Sequence, residues 1–225
     1  AKKHQVLFSV YQNRRLDGDF RTVRKLIKEE TLGEILDYEA HYHRFVVGAS
    51  SKKWKEKGGR GIGILYDLGV HIIDQAYVLF GMPVEVYADF RKQRKETSDY
   101  DRFDVILYYQ DKRAVLSAGE VVALPGPHFM VHGRKGSYIK YGMDVQEGDL
   151  AAGKIPGGEN WGQESPDFYG RLAVVGPEGI QTQRIPTIAG NYGLYYDNFY
   201  EALNDREELM VKPEDAAAVL KIMEA

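Results

Sequence analysis

The second half of the sequence is a succession of short extended runs, and this arrangement limits the fold more than any other feature. The runs are rich in β-branched and aromatic residues, and tight turns separate them, for example at residues 110–112 and 134–136. They are VEVYADFR, DRFDVILYY, RAVLSAGEVVAL, HFMVHG, GSYIKYG and the hairpin LAVVGPEGIQTQRIP. Strands joined by such turns pair antiparallel, because parallel strands need a long crossover connection.

Helical patterns flank these strands instead of alternating with them. They cover residues 17–32, 65–80 and 194–203, and a last segment that starts at Pro213. One early strand is predicted at residues 35–45, and a long loop rich in Gly, Pro and acidic residues at 143–170. Strands in sequence followed by terminal helices predict an α+β domain with a largely antiparallel sheet.

The composition excludes several classes of protein. The 225 residues carry 30 basic and 33 acidic side chains, a formal charge of -3 that indicates no basic surface for nucleic acid. There is no cysteine, which excludes disulfides, thiolate metal sites and cysteine nucleophiles. No apolar run reaches membrane-spanning length, and the first residues lack the apolar core of a signal peptide. We therefore expect a cytoplasmic protein with a small-molecule partner, and neither nucleic acid nor membrane.

The chain opens on an apolar run, VLFSVY at residues 6–11, which is typical of a buried strand. The next residues, QNRR at 12–15, would lie at the carboxyl end of that strand, where α/β sheets place ligands. Two adjacent arginines fit a solvated strand end equally well. Because the chain begins on a core strand, we expect it to be a fragment of a longer protein.

The stretch YDLGVHIID, at residues 66–74, places three titratable side chains in an otherwise apolar helix. On a helical wheel the polar strip consists of Asp67, His71 and Asp74, with Gln75 at its edge. This strip favours an Asp–His pair in which the Asp67 carboxylate orients His71 as a general base. The spacing also fits a structural pair, with Asp67 stabilised by the helix dipole and bound by His71 one turn later.

Two histidines, His41 and His43, alternate on the predicted strand before this helix and therefore share one of its faces. Together with Asp67 and His71 they would offer imidazole and carboxylate ligands to a divalent metal. The alternative is that both histidines pack between strands. The sequence does not determine the distance from strand to helix, so both interpretations stay open.

The glycine cluster GGRGIG, at residues 58–63, lacks the spacing of a nucleotide-binding loop. No G-x-G-x-x-G fits there, no G-x-x-x-x-G-K-[ST] occurs, and a lysine-rich loop precedes the cluster instead of a strand. We expect these glycines to let the backbone approach closely at the entrance of the helix.

Five stretches, taken in order, resemble a known family: VYQNRRLDGDF, LGEI, GGRGIGILYDLGVHIIDQAYVLFG, HGRKGSYIKYGMD and NYGLYYDNFYEAL. They are similar to the glucose-fructose oxidoreductase and inositol dehydrogenase (Gfo/Idh/MocA) family of NAD(P)-dependent oxidoreductases, over nearly the whole chain. The resemblance implies an enzyme with an N-terminal Rossmann domain for the cofactor. It also implies a second domain with an open, largely antiparallel mixed sheet, helices packed on one face, and a homo-oligomer interface.

On this resemblance, residues 1–15 contain the last strand of a Rossmann domain, and residues 16–225 form the substrate-binding and oligomerisation domain. The dinucleotide fingerprint does not occur in the sequence, and neither does the family's Glu-Lys-Pro motif, whose lysine assists catalysis. We therefore expect NAD or NADP to bind the full-length protein, and no tight cofactor binding by this chain alone. The implied substrate is a sugar, a polyol or a related hydroxyl compound.

The family's D-x-x-x-H helix matches Asp67 and His71. The implied role of His71 is to take the hydroxyl proton while the substrate carbon passes hydride to the nicotinamide, and Asp67 orients and supports it. The resemblance places Asn13 near the cofactor. The residues that it implies near the substrate are Arg14, Arg44, Asp74 and Tyr192.

Two other functions stay open. A member of such a family can lose catalysis and act as a binding or oligomerisation module, in which Asp67 and His71 are structural. The metal interpretation instead predicts a metal-dependent hydrolase or isomerase. Its ligands would be His41, His43, Asp67 and His71.

Overall fold

An eight-stranded sheet forms the centre of the protein, in a computed structural model that describes residues 1–46, 48, 59, 61–95, 97 and 99–225. In chain order the strands are β1 (Ile35–His43), β2 (Glu85–Arg91), β3 (Arg102–Tyr108), β4 (Arg113–Gly119), β5 (Phe129–Gly133), β6 (Gly136–Lys140), β7 (Gly170–Gly176) and β8 (Gly179–Ile185). Their order across the sheet is β2-β3-β4-β1-β5-β6-β7-β8.

Pairing in this sheet is mixed. β1 is parallel to β4, and every other neighbouring pair is antiparallel. The turns predicted at residues 110–112 and 134–136 join β3 to β4 and β5 to β6, because two- to four-residue connections permit only antiparallel neighbours. The predicted α+β fold with an open, largely antiparallel mixed sheet is confirmed.

Five α-helices accompany the sheet in the described part of the chain: α1 (Gly18–Lys28), α2 (Val70–Phe80), α3 (Gln146–Ala151), α4 (Gly193–Leu203) and α5 (Pro213–Met223). The short α3 lies where a continuous loop was predicted, since six residues show too little periodicity to be recognised. Among the described helices, none combines the length and the apolar character needed to span a bilayer.

One face of the sheet packs on the helices. Alternate residues of β1, Tyr38, Ala40 and Tyr42, are buried in a core that includes Phe20 of α1 and Ile72 of α2. The alternation follows from the strand period of two, so the residues between them lie on the opposite face. Burial of each such aromatic or aliphatic side chain contributes roughly 1.5–3 kcal/mol, which attaches α1 and α2 firmly to the sheet.

The strand predicted at residues 6–11 is not formed in this chain. The segment belongs to no strand, and Val6 and Phe8 are 59% and 53% exposed. A strand requires hydrogen-bonded neighbours for its backbone, and the described sheet leaves these residues without any. The assignment of residues 1–15 to a Rossmann domain stays a prediction.

Candidate active site

Asp67 and His71 lie on consecutive turns where α2 begins. Asp67 belongs to a π-helical turn, Leu65–Gly69, that leads directly into α2. This wider turn departs from the regular α-helix on which the predicted wheel was drawn, and such turns are frequent at functional sites. Both side chains are half-buried, whereas Ile72 and Ile73 just after them are fully buried. The pair is therefore reachable from solvent at the start of an otherwise buried helix.

Two glycines allow the chain to enter this turn. Gly63 has a φ of 92°, and a Cβ there would lie 2.6 Å from Oδ2 of Asp99. A Cβ at Gly69 would lie 2.7 Å from Leu65 Cδ1 and 3.0 Å from Phe103 Cζ. Close approach at Gly63 confirms the role predicted for that residue. Within the same cluster, positions 58 and 60 lie outside the described residues.

The second half of the predicted strip, Asp74 and Gln75, is buried beneath the turn Asn13–Leu16. Both carboxylate oxygens of Asp74 accept hydrogen bonds from Arg15, from Nε and Nη2, each at 2.7 Å. The Gln75 amide donates to the backbone carbonyl of Arg14 at 3.0 Å. Asp74 is 1% exposed with both oxygens occupied, so its observed contacts hold the Asn13–Leu16 turn against α2 and reach no open space.

Arg14 and Tyr192, 178 residues apart in the sequence, meet in one buried cluster. The Tyr192 hydroxyl donates to Oδ1 of Asp17 at 2.7 Å, and Arg14 donates to Oδ2 of the same carboxylate at 3.3 Å. The guanidinium also pairs with Glu147 and lies 5.8 Å from the centre of the Tyr42 ring. Burial raises the pKa of Asp17 well above its usual range, although Arg14 and the Tyr192 hydrogen bond oppose the shift. This cluster links the Asn13–Leu16 turn to the start of α4 through buried polar side chains.

The two remaining predicted residues lie at different places. Asn13 is half-exposed in the Asn13–Leu16 turn, next to the cluster around Arg14. Arg44 is exposed just beyond β1, and its Nε donates to Glu120 at 3.2 Å. Glu120 also binds Arg94. The described contacts of the Arg44 side chain therefore belong to a separate charged group and do not reach Arg14.

The metal site that the sequence left open as an alternative is contradicted, because the sheet separates its four ligands. His41 and His43 lie on the face of β1 opposite to the core residues that pack on α2. There His41 contacts Glu39 at 3.1 Å, and His43 hydrogen-bonds Ser117 at 2.8 Å. No group of three or more metal-ligating side chains occurs among the described residues. The two histidines pack between strands, as the alternative interpretation states.

A buried pair that no sequence pattern indicated, His128 and Asp19, lies near the cluster of Arg14, Asp17 and Tyr192. Nδ1 of His128 donates to the backbone carbonyl of His41 at 2.8 Å, so Nε2 carries a lone pair. That nitrogen lies 3.5 Å from Oδ2 of Asp19, and both residues are buried. Burial lowers the pKa of His128 to about 3 and raises the pKa of Asp19 to about 6. Below about pH 6 a proton on Asp19 resolves the contact between the two acceptors. No local sequence signal indicates this pair.

Comparison with known proteins identifies the family. A model of the "Oxidoreductase family, C-terminal alpha/beta domain" of the Gfo/Idh/MocA proteins matches residues 24–225, nearly the whole chain. The chain belongs to the Gfo/Idh/MocA oxidoreductase family. The resemblance found in the sequence is confirmed.

Relatives within the Gfo/Idh/MocA family align along the full chain. The scyllo-inositol 2-dehydrogenase (NADP(+)) IolW of Bacillus subtilis (strain 168) is 41% identical over 225 residues. The uncharacterized oxidoreductase YdgJ of Escherichia coli (strain K12) is 38% identical over 224 residues. The chain spans 63% and 64% of the lengths of these two proteins. A solved structure of the oxidoreductase yvaA from Bacillus subtilis covers all of the chain, with a TM-score of 0.93 and 39% identity, and the chain covers 63% of it.

Replacement of Asp19 by asparagine is expected to stabilise this Gfo/Idh/MocA protein at neutral pH and to have little effect at pH 4. The pKa of Asp19 rises from 3.8 to about 6 on folding, so the folded state binds the proton more tightly than the unfolded state. The resulting stabilisation is complete below about pH 4 and is lost as the pH rises through about 6. The difference between 3.8 and about 6 corresponds to about 3 kcal/mol at neutral pH, which asparagine avoids while still donating to His128.

Urea unfolding of the unmodified protein and of Asp19→Asn between pH 4 and pH 8 measures the difference in their free energies of unfolding. Glu29→Gln, at an exposed position just after α1, serves as the control and is expected to show no gain that grows with pH. An advantage of Asp19→Asn that is the same at pH 4 and pH 8 would contradict the raised pKa of Asp19.

Proposed function

We propose that this chain supplies the substrate-binding part of an NAD(P)-dependent oxidoreductase that acts on a hydroxyl group of a sugar or polyol. The observation that carries the proposal is the Asp67–His71 pair, which is accessible at the start of a buried helix. Family membership supports the reaction class. The name of the 41% identical relative, scyllo-inositol 2-dehydrogenase (NADP(+)), supports a polyol substrate and a nicotinamide cofactor.

In this proposal Asp67 and His71 have different roles in proton transfer. Oxidation of an alcohol releases a hydride from carbon and a proton from oxygen, and a nicotinamide, when bound, would accept the hydride. His71 takes the proton, because imidazole is the side chain that accepts one most readily near neutral pH. Asp67, one turn earlier, orients the imidazole and stabilises its charged form. Each turnover thus leaves one ketone, one reduced cofactor and one protonated His71.

The surrounding residues fit the substrate side of this reaction. Arg14 and Tyr192 meet in one buried polar cluster, and Asn13 is half-exposed beside it. We assign Asn13 to the side of the cofactor. We assign Asp74 the task of positioning that turn through Arg15, in place of direct substrate contact. No dinucleotide fingerprint occurs in the sequence, so we assign the dinucleotide mainly to a Rossmann domain of the full-length protein. We further propose self-association through the sheet face that carries His41 and His43.

The test is cofactor reduction by the full-length protein, followed at 340 nm with NAD⁺ and NADP⁺ and a panel of inositols, sugars and linear polyols. We expect substrate-dependent reduction with at least one member of the panel, and none by the 225-residue chain alone. Reduction by the chain alone, or no reduction with any compound by the full-length protein, would contradict the proposal. Binding of a polyol without turnover would favour the non-catalytic module.

A further inference from the structure

A cavity of about 530 Å³ lies beside Arg21 of α1 and involves neither Asp67 nor His71. Arg21 of α1, Trp161 and Leu194 of α4 line it, together with residues 157–158 and 188–191. The volume falls within the range of small-molecule sites and is sufficient for a monosaccharide with one substituent.

The wall formed by residues 188–191 is held in place from several sides. The backbone N–H of Ile188 donates to the Thr22 hydroxyl at 2.9 Å, and that of Asn191 to the carbonyl of Leu16 at 3.1 Å. The N–H of Gly190 donates to the carbonyl of Gly162 at 3.0 Å, where a Cβ on either glycine would overlap its surroundings. The cavity is therefore preformed, which lowers the entropic cost of binding.

The charge of the lining is positive. Among the described residues, Arg21 is the one charged residue of the lining, and no described carboxylate lies within ion-pair distance of its guanidinium. Nη1 donates to the backbone carbonyl of Ala189, which leaves other N–H donors of the planar group unused. Burial lowers the pKa of Arg21, and the more distant Asp144 only partly offsets this effect. An arginine in this situation gains free energy from an anion that binds its remaining donors.

Two further side chains suit a hydroxylated ligand. Nε1 of Trp161 donates to Oε1 of Gln146 at 3.2 Å, and Gln146 is fully buried, so the orientation of the indole is set. Its flat apolar surface matches the C–H face of a sugar ring. The side-chain oxygen Oδ1 of Asn191 accepts a hydrogen bond from the N–H of Gly193 at 2.9 Å. The side-chain NH₂ group of Asn191 can therefore donate to a ligand hydroxyl.

We propose that this cavity binds a monosaccharide-sized anion, either a sugar phosphate or a sugar acid. Arg21 binds the anionic group, the Trp161 indole packs on the ring, and the Asn191 amide donates to a hydroxyl. A neutral sugar leaves Arg21 without a counter-ion, and a simple inorganic anion leaves the indole uncovered. The site is independent of the proposed oxidoreductase function, because none of its residues takes part in proton transfer there.

Tryptophan fluorescence gives a readout from the cavity itself. The sequence contains two tryptophans, Trp54 and Trp161, so the full-length variant Trp54→Phe retains Trp161 as the reporter in this chain. Glucose 6-phosphate, gluconate, glucose and inorganic phosphate are titrated separately at constant ionic strength, without cofactor. We expect a saturable change with glucose 6-phosphate or gluconate, at concentrations at least tenfold below those needed for glucose or phosphate. The two anionic sugars distinguish a phosphate site from a carboxylate site.

Charge removal at Arg21 then tests the assignment. In the same background, Arg21→Gln is expected to weaken binding of the preferred anion at least tenfold, and Arg21→Lys to weaken it less. Arg24→Gln is the matched control, since Arg24 is exposed on the same helix and does not line the cavity. Circular dichroism confirms that each variant is folded, and Arg21→Lys carries the test if Arg21→Gln does not fold. Absence of a saturable response to both anionic sugars, equal binding of glucose, or unchanged affinity in the folded Arg21 variants would overturn the proposal.

Discussion

Replacement of His71 by alanine in the full-length protein is expected to reduce kcat for polyol oxidation about 10²–10⁴-fold, the usual contribution of a positioned general base. Cofactor binding is expected to stay nearly unchanged, because the proposed role of His71 concerns the substrate hydroxyl alone. The variant removes the imidazole from the exposed side of α2 without opening the core, since Ile72 and Ile73 carry the packing of that turn. Steady-state kinetics and cofactor titration measure the two effects separately.

The pH dependence of kcat/KM distinguishes a His71 that acts as a general base from one that is only structural. If His71 accepts the proton, kcat/KM of the unmodified enzyme falls at low pH, and this limb disappears in His71→Ala. Asp67→Asn should retain the limb but move it toward lower pH, because the neutral amide stabilises an imidazolium less well than a carboxylate does. His132→Ala is the control, as this histidine bonds Ser137 on β6, away from α2. Unchanged turnover in His71→Ala would reject the assignment.

Replacement of Asp74 by asparagine is expected to lower the free energy of unfolding by about 3–5 kcal/mol, the typical cost of removing one partner from a buried ion pair. The side chains of Arg15 and Asp74 are 6% and 2% exposed, and both carboxylate oxygens bind the guanidinium. After the change the remaining amide oxygen accepts only one of the two hydrogen bonds from Arg15. The one counter-charge left to Arg15 among the described residues is the partly exposed Asp215, beside the carbonyl of Met210. Urea unfolding at pH 7 measures the loss.

An exposed pair provides the matched control for this experiment. Asp89→Asn removes the partner of Arg91 at the edge of the sheet, where both side chains contact water, and should leave the unfolding free energy nearly unchanged. A loss below about 1 kcal/mol for Asp74→Asn, comparable to that of exposed pairs, would contradict the positioning role. If the role is correct, the same variant should also raise KM, because the turn that carries Arg14 is no longer clamped to α2.

Much of the fold follows from local sequence patterns. The strands and their turns at residues 110–112 and 134–136 were predicted because alternation and turn residues act over a few positions. The placement of Asp67 and His71 on adjacent turns also follows from helical spacing, even though the first turn is π-helical. The ordered motifs of the Gfo/Idh/MocA family likewise lie in the sequence itself.

Tertiary structure alone decided which residues far apart in the sequence come into contact. Parallel pairing of β1 with β4 follows from the path of the chain between them, and no residue of either strand specifies it. The same path brings Arg14 to Tyr192, and it places His41 and His43 on the face of the sheet opposite to α2. Burial is the physical reason for the rest: Asp74 binds Arg15 out of contact with water, and the pKa of Asp19 is raised because water is excluded around it. Local patterns thus determined the elements and the Asp67–His71 pair, whereas packing over long sequence separations decided which charges are buried and which partners they have.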